Sequence, residues 1–246
     1  MTSSSLSYES VTEIAGEEVT SEQVQRLVNR YVWAGNYCSN RDVLEVACGT
    51  GPGLGYLQSR ARTLVAGDVS ETLVAKTKAH YGVRVLVERL DAHQLQFDAN
   101  SFDVLLLFEA IYYLDANLFF SEARRVLRPG GVLLVVTANK DLYDFNPSPH
   151  STRYFGVHDL ANVLESFNFS CEFFGDSPVD AVGFRQWSLR PLKRIAVHLN
   201  LIPQSMIAKR FLKRLVFGQL TRMPAEVTEE TAHATAPARI TSSNPD

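Results

Sequence analysis

Residues 43–57 read Val-Leu-Glu-Val-Ala-Cys-Gly-Thr-Gly-Pro-Gly-Leu-Gly-Tyr-Leu and form the most informative stretch of the chain. A short apolar run ends at Ala47 and leads into a turn that contains Gly49 and Gly51. A segment suited to a helix follows from about Leu54. This order is typical of the first half of a nucleotide-binding βαβ unit. Glycine is used there because a ligand lies against bare backbone and because the turn needs dihedral angles that other residues resist.

The glycine spacing also indicates the kind of ligand. A dinucleotide site requires Gly-x-Gly-x-x-Gly, but counting from either Gly49 or Gly51 reaches a different residue at the sixth position. The pattern present is Glu45-x-Ala47-x-Gly49-x-Gly51. It resembles the first motif of the class I S-adenosylmethionine-dependent methyltransferases, in which an acid lies two residues before a small residue. Ala47 stands where glycine is common in that family, and Glu45 stands where aspartate is commoner.

Size and composition fit one α/β domain with appendages. The chain has 246 residues, 46% of them hydrophobic, and a formal net charge of −3, which gives no reason to expect a nucleic-acid partner. The cysteines (Cys38, Cys48 and Cys171) form neither a Cys-x-x-Cys motif nor a Cys/His cluster, so neither a metal site nor a disulfide framework is expected. The polar, acidic start lacks a secretory signal, and the expected location is the cytoplasm.

Strands and helices are predicted to alternate after the glycine turn. The predicted strands are 43–47, 63–67, 83–88, 102–108 and 132–137, and the predicted helices are 53–60, 71–81 and 118–127. This alternation predicts a Rossmann-like, doubly wound and mostly parallel sheet with helices on both faces. A helix over Ser21–Asn36, capped by Ser21, is predicted before the first strand. A helix near 157–166 and a strand near 169–174 are predicted after the last one.

Composition divides the chain into four parts. We expect a flexible N-terminus (1–20), a main domain (21–180, cofactor core 40–140), a basic helical extension (181–225) and a disordered tail (226–246). The extension contains nine basic residues and no acidic residue. Apolar residues recur at helical spacing within 191–217. The extension is therefore interpreted either as helices packed on the domain or as a surface for phosphate groups or an anionic membrane.

Further motifs support the resemblance. Asp68 follows the second predicted strand, at the distance from the glycine turn where an acid accepts hydrogen bonds from ribose hydroxyls. In the family, the acid at the position of Asp91 meets the adenine amino group. The segment 125–131 resembles the helix end and turn before the fifth strand. The resemblance implies S-adenosylmethionine as the cofactor, bound by Tyr31, Glu45, Ala47, Gly49, Thr50, Gly51, Asp68, Val69, Asp91, Ala92 and Phe108, with no metal.

The catalytic base is less clearly marked. A hydroxyl acceptor must lose its proton as the new bond forms, so a base is expected near it. His150, in the loop after the fifth predicted strand, is the first candidate, because a histidine side chain titrates near neutral pH. Glu109, at the end of the fourth strand, is the second, followed by His158 and Tyr143. His93 is interpreted as a residue of the pocket rim.

The predicted activity is S-adenosylmethionine-dependent methylation of a small-molecule acceptor, with O-methylation of a sugar or glycolipid precursor as the expected reaction. O- or N-methylation of another metabolite and a cofactor-binding, non-catalytic scaffold are the alternatives. The glycine spacing disfavours a nicotinamide oxidoreductase. The acceptor is expected to be anionic or lipid-linked, with peripheral contact to the inner membrane surface through 191–217. The oligomeric state stays open.

Overall fold

The computed structural model describes residues 12–142, 145–148, 150–176, 220–230 and 237–240. The strands in these ranges are β1 (Glu18–Val19), β2 (Asp42–Val46), β3 (Thr63–Asp68), β4 (Leu86–Arg89), β5 (Phe102–Phe108), β6 (Leu127–Val136), β7 (Phe174–Gly175), β8 (Thr221–Arg222) and β9 (Ala238–Arg239). The α-helices are α1 (Ser21–Cys38), α2 (Leu54–Gln58), α3 (Glu71–Tyr81), α4 (Ala116–Val126) and α5 (Val157–Ser166).

Five strands form a central sheet in the order β4-β3-β2-β5-β6, and all neighbouring pairs are parallel. From β2 the chain proceeds outward to β4 and then returns to the other side of β2. The strand order therefore reverses between β2 and β5, and a ligand cleft is expected at the carboxyl ends of these two strands. This topology confirms the predicted Rossmann-like parallel sheet.

The sheet separates two apolar cores. Leu106 of β5 belongs to the core that contains buried residues of α1, α2 and α3. Its neighbours Leu105 and Leu107 belong to the core with α4 and α5. Because both faces of the sheet are covered, β5 is almost continuously apolar rather than alternating.

Helix α1 begins after Thr20, one residue before the predicted cap. The Thr20 hydroxyl oxygen accepts a hydrogen bond from the Gln23 amide at 3.2 Å, and the Gln23 side chain accepts one from the Thr20 amide at 3.2 Å. Such a reciprocal pair needs a glutamine or glutamate three residues after the cap. Ser21 has Val24 at that position, so it was the wrong choice of cap.

Three strand boundaries also differ from the predictions. Strand β6 includes the segment 127–131, which was predicted to be a helix end and turn. The register of β6 against β5 shifts between Phe102 and Val104, so the extra residues of β6 bulge from the ladder. Strand β4 begins at residue 86, since a turn with a hydrogen bond from Arg84 to Tyr81 precedes it. In the predicted strand 169–174, the amide of Phe169 still bonds to the end of α5.

The segment 220–230 packs on the main domain. Met223 and Val227 are buried, β8 pairs with β1, and the Val227 amide donates to the Pro52 carbonyl at 2.7 Å. Residues 226–230 thus differ from the predicted disordered tail, because the apolar Val227 side chain is enclosed. Most of the predicted basic extension lies outside the described residues. None of the described helices combines the length and the hydropathy that a membrane span needs.

Candidate functional site

The chain turns sharply as it leaves β2. Ala47, Gly49 and Gly51 have φ angles of 53°, 58° and 69°. Glycine adopts this left-handed region freely, whereas alanine there costs about 1 kcal/mol. The turn is closed by a hydrogen bond from the Gly51 amide to the Cys48 carbonyl at 2.9 Å. It presents bare backbone at the carboxyl end of β2, where the sequence predicted the cofactor.

Helix α3 fixes the other side of this turn. Thr77 donates its hydroxyl to the Gly49 carbonyl at 2.9 Å, and Tyr81 donates its hydroxyl to the Gly51 carbonyl at 2.6 Å. A β-carbon at Gly51 would lie 2.9 Å from the Thr77 methyl, so the close approach of α3 requires glycine. Sequence reasoning missed Thr77 and Tyr81. Their spacing of four residues on one helix face was the only local signal.

Asp68 lies beside the turn at the end of β3. Its carboxylate accepts hydrogen bonds from the amides of Gly49 at 3.0 Å and Ser70 at 2.9 Å. The residue is only 6% exposed. Burial raises the pKa of Asp68, while these amide bonds oppose the rise. Each carboxylate oxygen can accept a second hydrogen bond, so Asp68 keeps capacity for ligand hydroxyls.

Glu45 lies inside β2 and is 1% exposed. Its Oε1 accepts a hydrogen bond from the Tyr31 hydroxyl at 2.7 Å, whereas its Oε2 has no partner among the described residues. Burial raises the pKa of Glu45 to about 7, and the Tyr31 bond and the charge of Arg30 act against this rise. A buried polar atom without a partner is costly, so Oε2 is suited to receive a donor from a ligand.

Tyr31 holds Glu45 from helix α1. Its ring packs edge-on against Phe108 with the centroids 5.3 Å apart. A β-carbon at Gly53 would overlap the Tyr31 ring, so that glycine lets α1 approach the glycine turn closely. Tyr31 is itself buried. Its hydroxyl bonds to the acid of the first motif and so orients the Glu45 carboxylate.

Arg30 lies among carboxyl groups. Its guanidinium forms an ion pair with Glu13, and its Nε has no partner among the described residues. The charges of Glu45 and Glu109 also act on it. Glu109 follows β5 with a φ of 51° and accepts a hydrogen bond from the Tyr112 hydroxyl at 3.2 Å. Burial raises the pKa of Glu109, whereas the charge of Arg30 lowers it.

Asp91 and Ala92 follow β4 at the same edge of the sheet. Ala92 is buried, and Asp91 accepts a hydrogen bond from the His93 amide at 2.9 Å. The Nε2 atom of His93 accepts a hydrogen bond from the amide of Asp115, at the start of α4, at 3.0 Å. His93 therefore has a structural role in joining two segments. The described residues contain no cluster of three or more metal-binding side chains.

The loop that carries His150 is tied to the segment after Glu109. The amide and the hydroxyl of Thr152 donate to the Tyr112 carbonyl at 2.7 and 3.1 Å. His150 itself is exposed and has a φ of 71°. The structure thus brings together the segments that carry the first two base candidates, His150 and Glu109. Tyr143, a further candidate, lies outside the described residues.

Comparisons with known proteins agree with this geometry. A family model described as a methyltransferase domain matches residues 44–135. The chain is 37% identical over 153 residues to a probable S-adenosylmethionine-dependent methyltransferase of Mycolicibacterium smegmatis. This match covers 60% of this chain and 56% of that protein. It is 32% identical over 104 residues to a ubiquinone biosynthesis O-methyltransferase of Agrobacterium fabrum. That match covers 41% of this chain and 42% of the other protein.

The fold also has solved relatives. The crystal structure of a SAM-dependent methyltransferase from Aquifex aeolicus superposes with a TM-score of 0.52 at 18% identity, over 63% of this chain and 91% of that one. This likeness shows the fold alone. The chain spans about half the length of the curated relatives it matches.

Proposed function

Since residues 44–135 are a class I S-adenosylmethionine-dependent methyltransferase domain, we propose that the chain transfers a methyl group from this cofactor to a small-molecule acceptor. The family and the fold imply S-adenosylmethionine, in agreement with the cofactor predicted from the sequence.

The observation that carries the proposal is the polar cluster beside the glycine turn. Two buried atoms there, Nε of Arg30 and Oε2 of Glu45, have no partner among the described residues. The Arg30 guanidinium forms an ion pair with Glu13, and its charge also acts on Glu45 and Glu109. A ligand that carries both a carboxylate and a positive charge would compensate the guanidinium with the first and the buried carboxyl groups with the second. The amino-acid end and the sulfonium of S-adenosylmethionine have this combination of charges.

The residues of the site would divide the work of holding the cofactor. Bare backbone at Gly49 and Gly51 leaves room for it, and Asp68 can accept hydrogen bonds from its ribose. Arg30 can donate to its carboxylate, and Glu45 can accept from its ammonium group. S-adenosylmethionine supplies a methyl group that is already activated for transfer. Acceleration would then come mainly from aligning the acceptor with that methyl group.

We extend the proposal to O-methylation of a sugar or glycolipid precursor in the cytoplasm. The O-methyltransferase of Agrobacterium fabrum supports oxygen as the methylated atom. A groove beside β6 is lined by Arg30, Glu109, Trp33 and Phe155 and offers space for an acceptor near the cluster. The basic sequence of 181–225 is suited to an anionic or lipid-linked acceptor and to peripheral membrane contact through 191–217.

Two measurements test this function. Calorimetry should detect binding of S-adenosylmethionine and S-adenosylhomocysteine but not of NADH. Incubation with host extract and S-adenosylmethionine should then yield a compound heavier by one CH₂ unit, with a further shift when the donor methyl is deuterated. Failure to bind either sulfur compound would refute the proposal. Binding without any methylated product would favour the scaffold alternative.

We expect His150→Ala to lower kcat by about a hundredfold, the usual scale for loss of a general base, while the cofactor Kd stays within about twofold. His158→Ala, which removes the exposed histidine of α5 that ranks below His150 and Glu109 as a base candidate, should leave kcat near that of the unaltered protein. Steady-state kinetics with the identified acceptor provide the measurement. A normal kcat in His150→Ala, together with a large loss in Glu109→Gln, would transfer the base role to Glu109.

A further inference from the structure

An N-terminal strap, residues 12–16, lies directly on the glycine turn. The Thr12 methyl is 2.9 Å from the place where a β-carbon of Gly49 would lie. The Thr50 hydroxyl donates to the Glu13 carbonyl at 2.9 Å. The strap is therefore held against Gly49 and Thr50 of the turn.

The strap also supplies a carboxylate to Arg30. The Arg30 side chain is only 11% exposed, and its ion pair with Glu13 links the strap to α1. Glu13 comes from a segment outside the sheet. By contrast, Glu45 lies within strand β2, and Glu109 directly follows strand β5. Of the acids that act on Arg30, Glu13 is thus the one whose segment can move without disturbing the sheet.

The strap has an anchor and a hinge at its end. The Gly16 amide donates to the Met223 carbonyl at 2.8 Å, and β1 pairs with β8 immediately afterwards. Gly16 has a φ of 84°, and a β-carbon built there meets nothing within 4 Å. Residues 12–15 can therefore swing away while the anchored strand β1 stays in place.

We infer that Glu13 occupies the position on Arg30 that the carboxylate of the cofactor takes, so that the strap competes with the cofactor for its own site. This inference rests on the proposed function. Both groups are carboxylates, and a carboxylate bound side-on to Nε and Nη2 of Arg30 needs the Nη2 group that the Glu13 carboxylate occupies. The apparent affinity for the cofactor is then the intrinsic affinity multiplied by the fraction of molecules with an open strap.

Glu13→Gln weakens the contact of residue 13 with Arg30 while keeping the size of the side chain. We expect this variant to bind S-adenosylmethionine and S-adenosylhomocysteine about tenfold more tightly than the unaltered protein, because the amide lacks the charge that holds it to Arg30. Glu17→Gln is the matched control, since it removes the same charge from an exposed position next to the hinge. Its affinity for both compounds should match that of the unaltered protein.

The decisive ligand is 5′-methylthioadenosine, which has the nucleoside and the sulfur but no amino-acid end. Its Kd, measured by calorimetry, should be the same for the unaltered protein and Glu13→Gln. Hydrogen exchange at residues 12–16 should also increase when S-adenosylhomocysteine is added and stay unchanged with 5′-methylthioadenosine. Equal tightening for all three ligands would overturn the inference, because the strap would then act only as a steric cover.

The failure of this inference can be told apart from failure of the function. Equal binding of S-adenosylhomocysteine by the unaltered protein and Glu13→Gln would overturn competition and leave cofactor binding intact. Absence of binding in every variant, for all three ligands, would instead refute the proposed function and the inference together.

Discussion

The stability advantage of Glu45→Gln over the unaltered protein is expected to grow by about 2–3 kcal/mol between pH 5 and pH 8 in the absence of ligand. Glu45 is enclosed in β2, and burial raises its pKa from 4.5 to about 7. Between these two values the folded protein keeps a proton that the unfolded chain has lost. The free energy of unfolding therefore falls as pH rises through this range, and glutamine lacks this dependence.

Urea unfolding of both proteins at unit steps from pH 5 to pH 8 provides the measurement. Glu71→Gln is the control, because it makes the same change at a side chain that is 76% exposed. A Glu45→Gln difference that stays constant with pH would show that Glu45 titrates as in the unfolded chain. Saturating S-adenosylhomocysteine should reduce the difference at pH 8, since its ammonium group would compensate the buried charge.

Asp68→Asn is expected to weaken binding of S-adenosylhomocysteine by at least tenfold and up to about a hundredfold. The Asp68 carboxylate holds the amides of Gly49 and Ser70 and is proposed to accept the ribose hydroxyls. Asparagine has only one acceptor oxygen and introduces a donor group beside these amides. Both the shape of the glycine turn and the ribose contact are therefore impaired.

A second variant separates these two causes. Tyr81→Phe removes the hydrogen bond to the Gly51 carbonyl and so loosens the same turn without altering the acid. Calorimetry should show a smaller loss for Tyr81→Phe than for Asp68→Asn, while Asp98→Asn, at an exposed position, should bind normally. Equal losses for Tyr81→Phe and Asp68→Asn would mean that Asp68 acts only through the turn.

Local sequence patterns were enough to predict most of the fold. The apolar runs and the glycine turn predicted the parallel sheet because strand burial and turn geometry depend on neighbouring residues. The positive φ of Ala47 also explains why glycine is common at that position in the family. The start of β6 could not be predicted, because Pro129 and Gly130 form a turn signal and only the register against β5 shows that the strand continues.

The candidate site was only partly readable for the same reason. Glu45 and Asp68 could be singled out because their spacing from the glycine turn is fixed by the βαβ unit. The contact between Glu13 and Arg30, like those from Thr77 and Tyr81 to the turn, joins segments whose sequences carry no mark of each other. Such contacts depend on tertiary packing. His93 was likewise interpreted from its place in the chain, whereas its role follows from Asp115 on another segment.

The return of residues 220–230 to the sheet has a consequence for how the protein can be shortened. Val227 bonds to Pro52, and Glu226 contacts Arg84 and His80, so this late segment forms an outer wall for the loop after β2. A truncated form that stopped at residue 219 would keep every strand of the central sheet. It would nevertheless lose that wall together with the support of β1, and a sheet-only fragment would therefore be a poor substitute for the full chain in ligand screening.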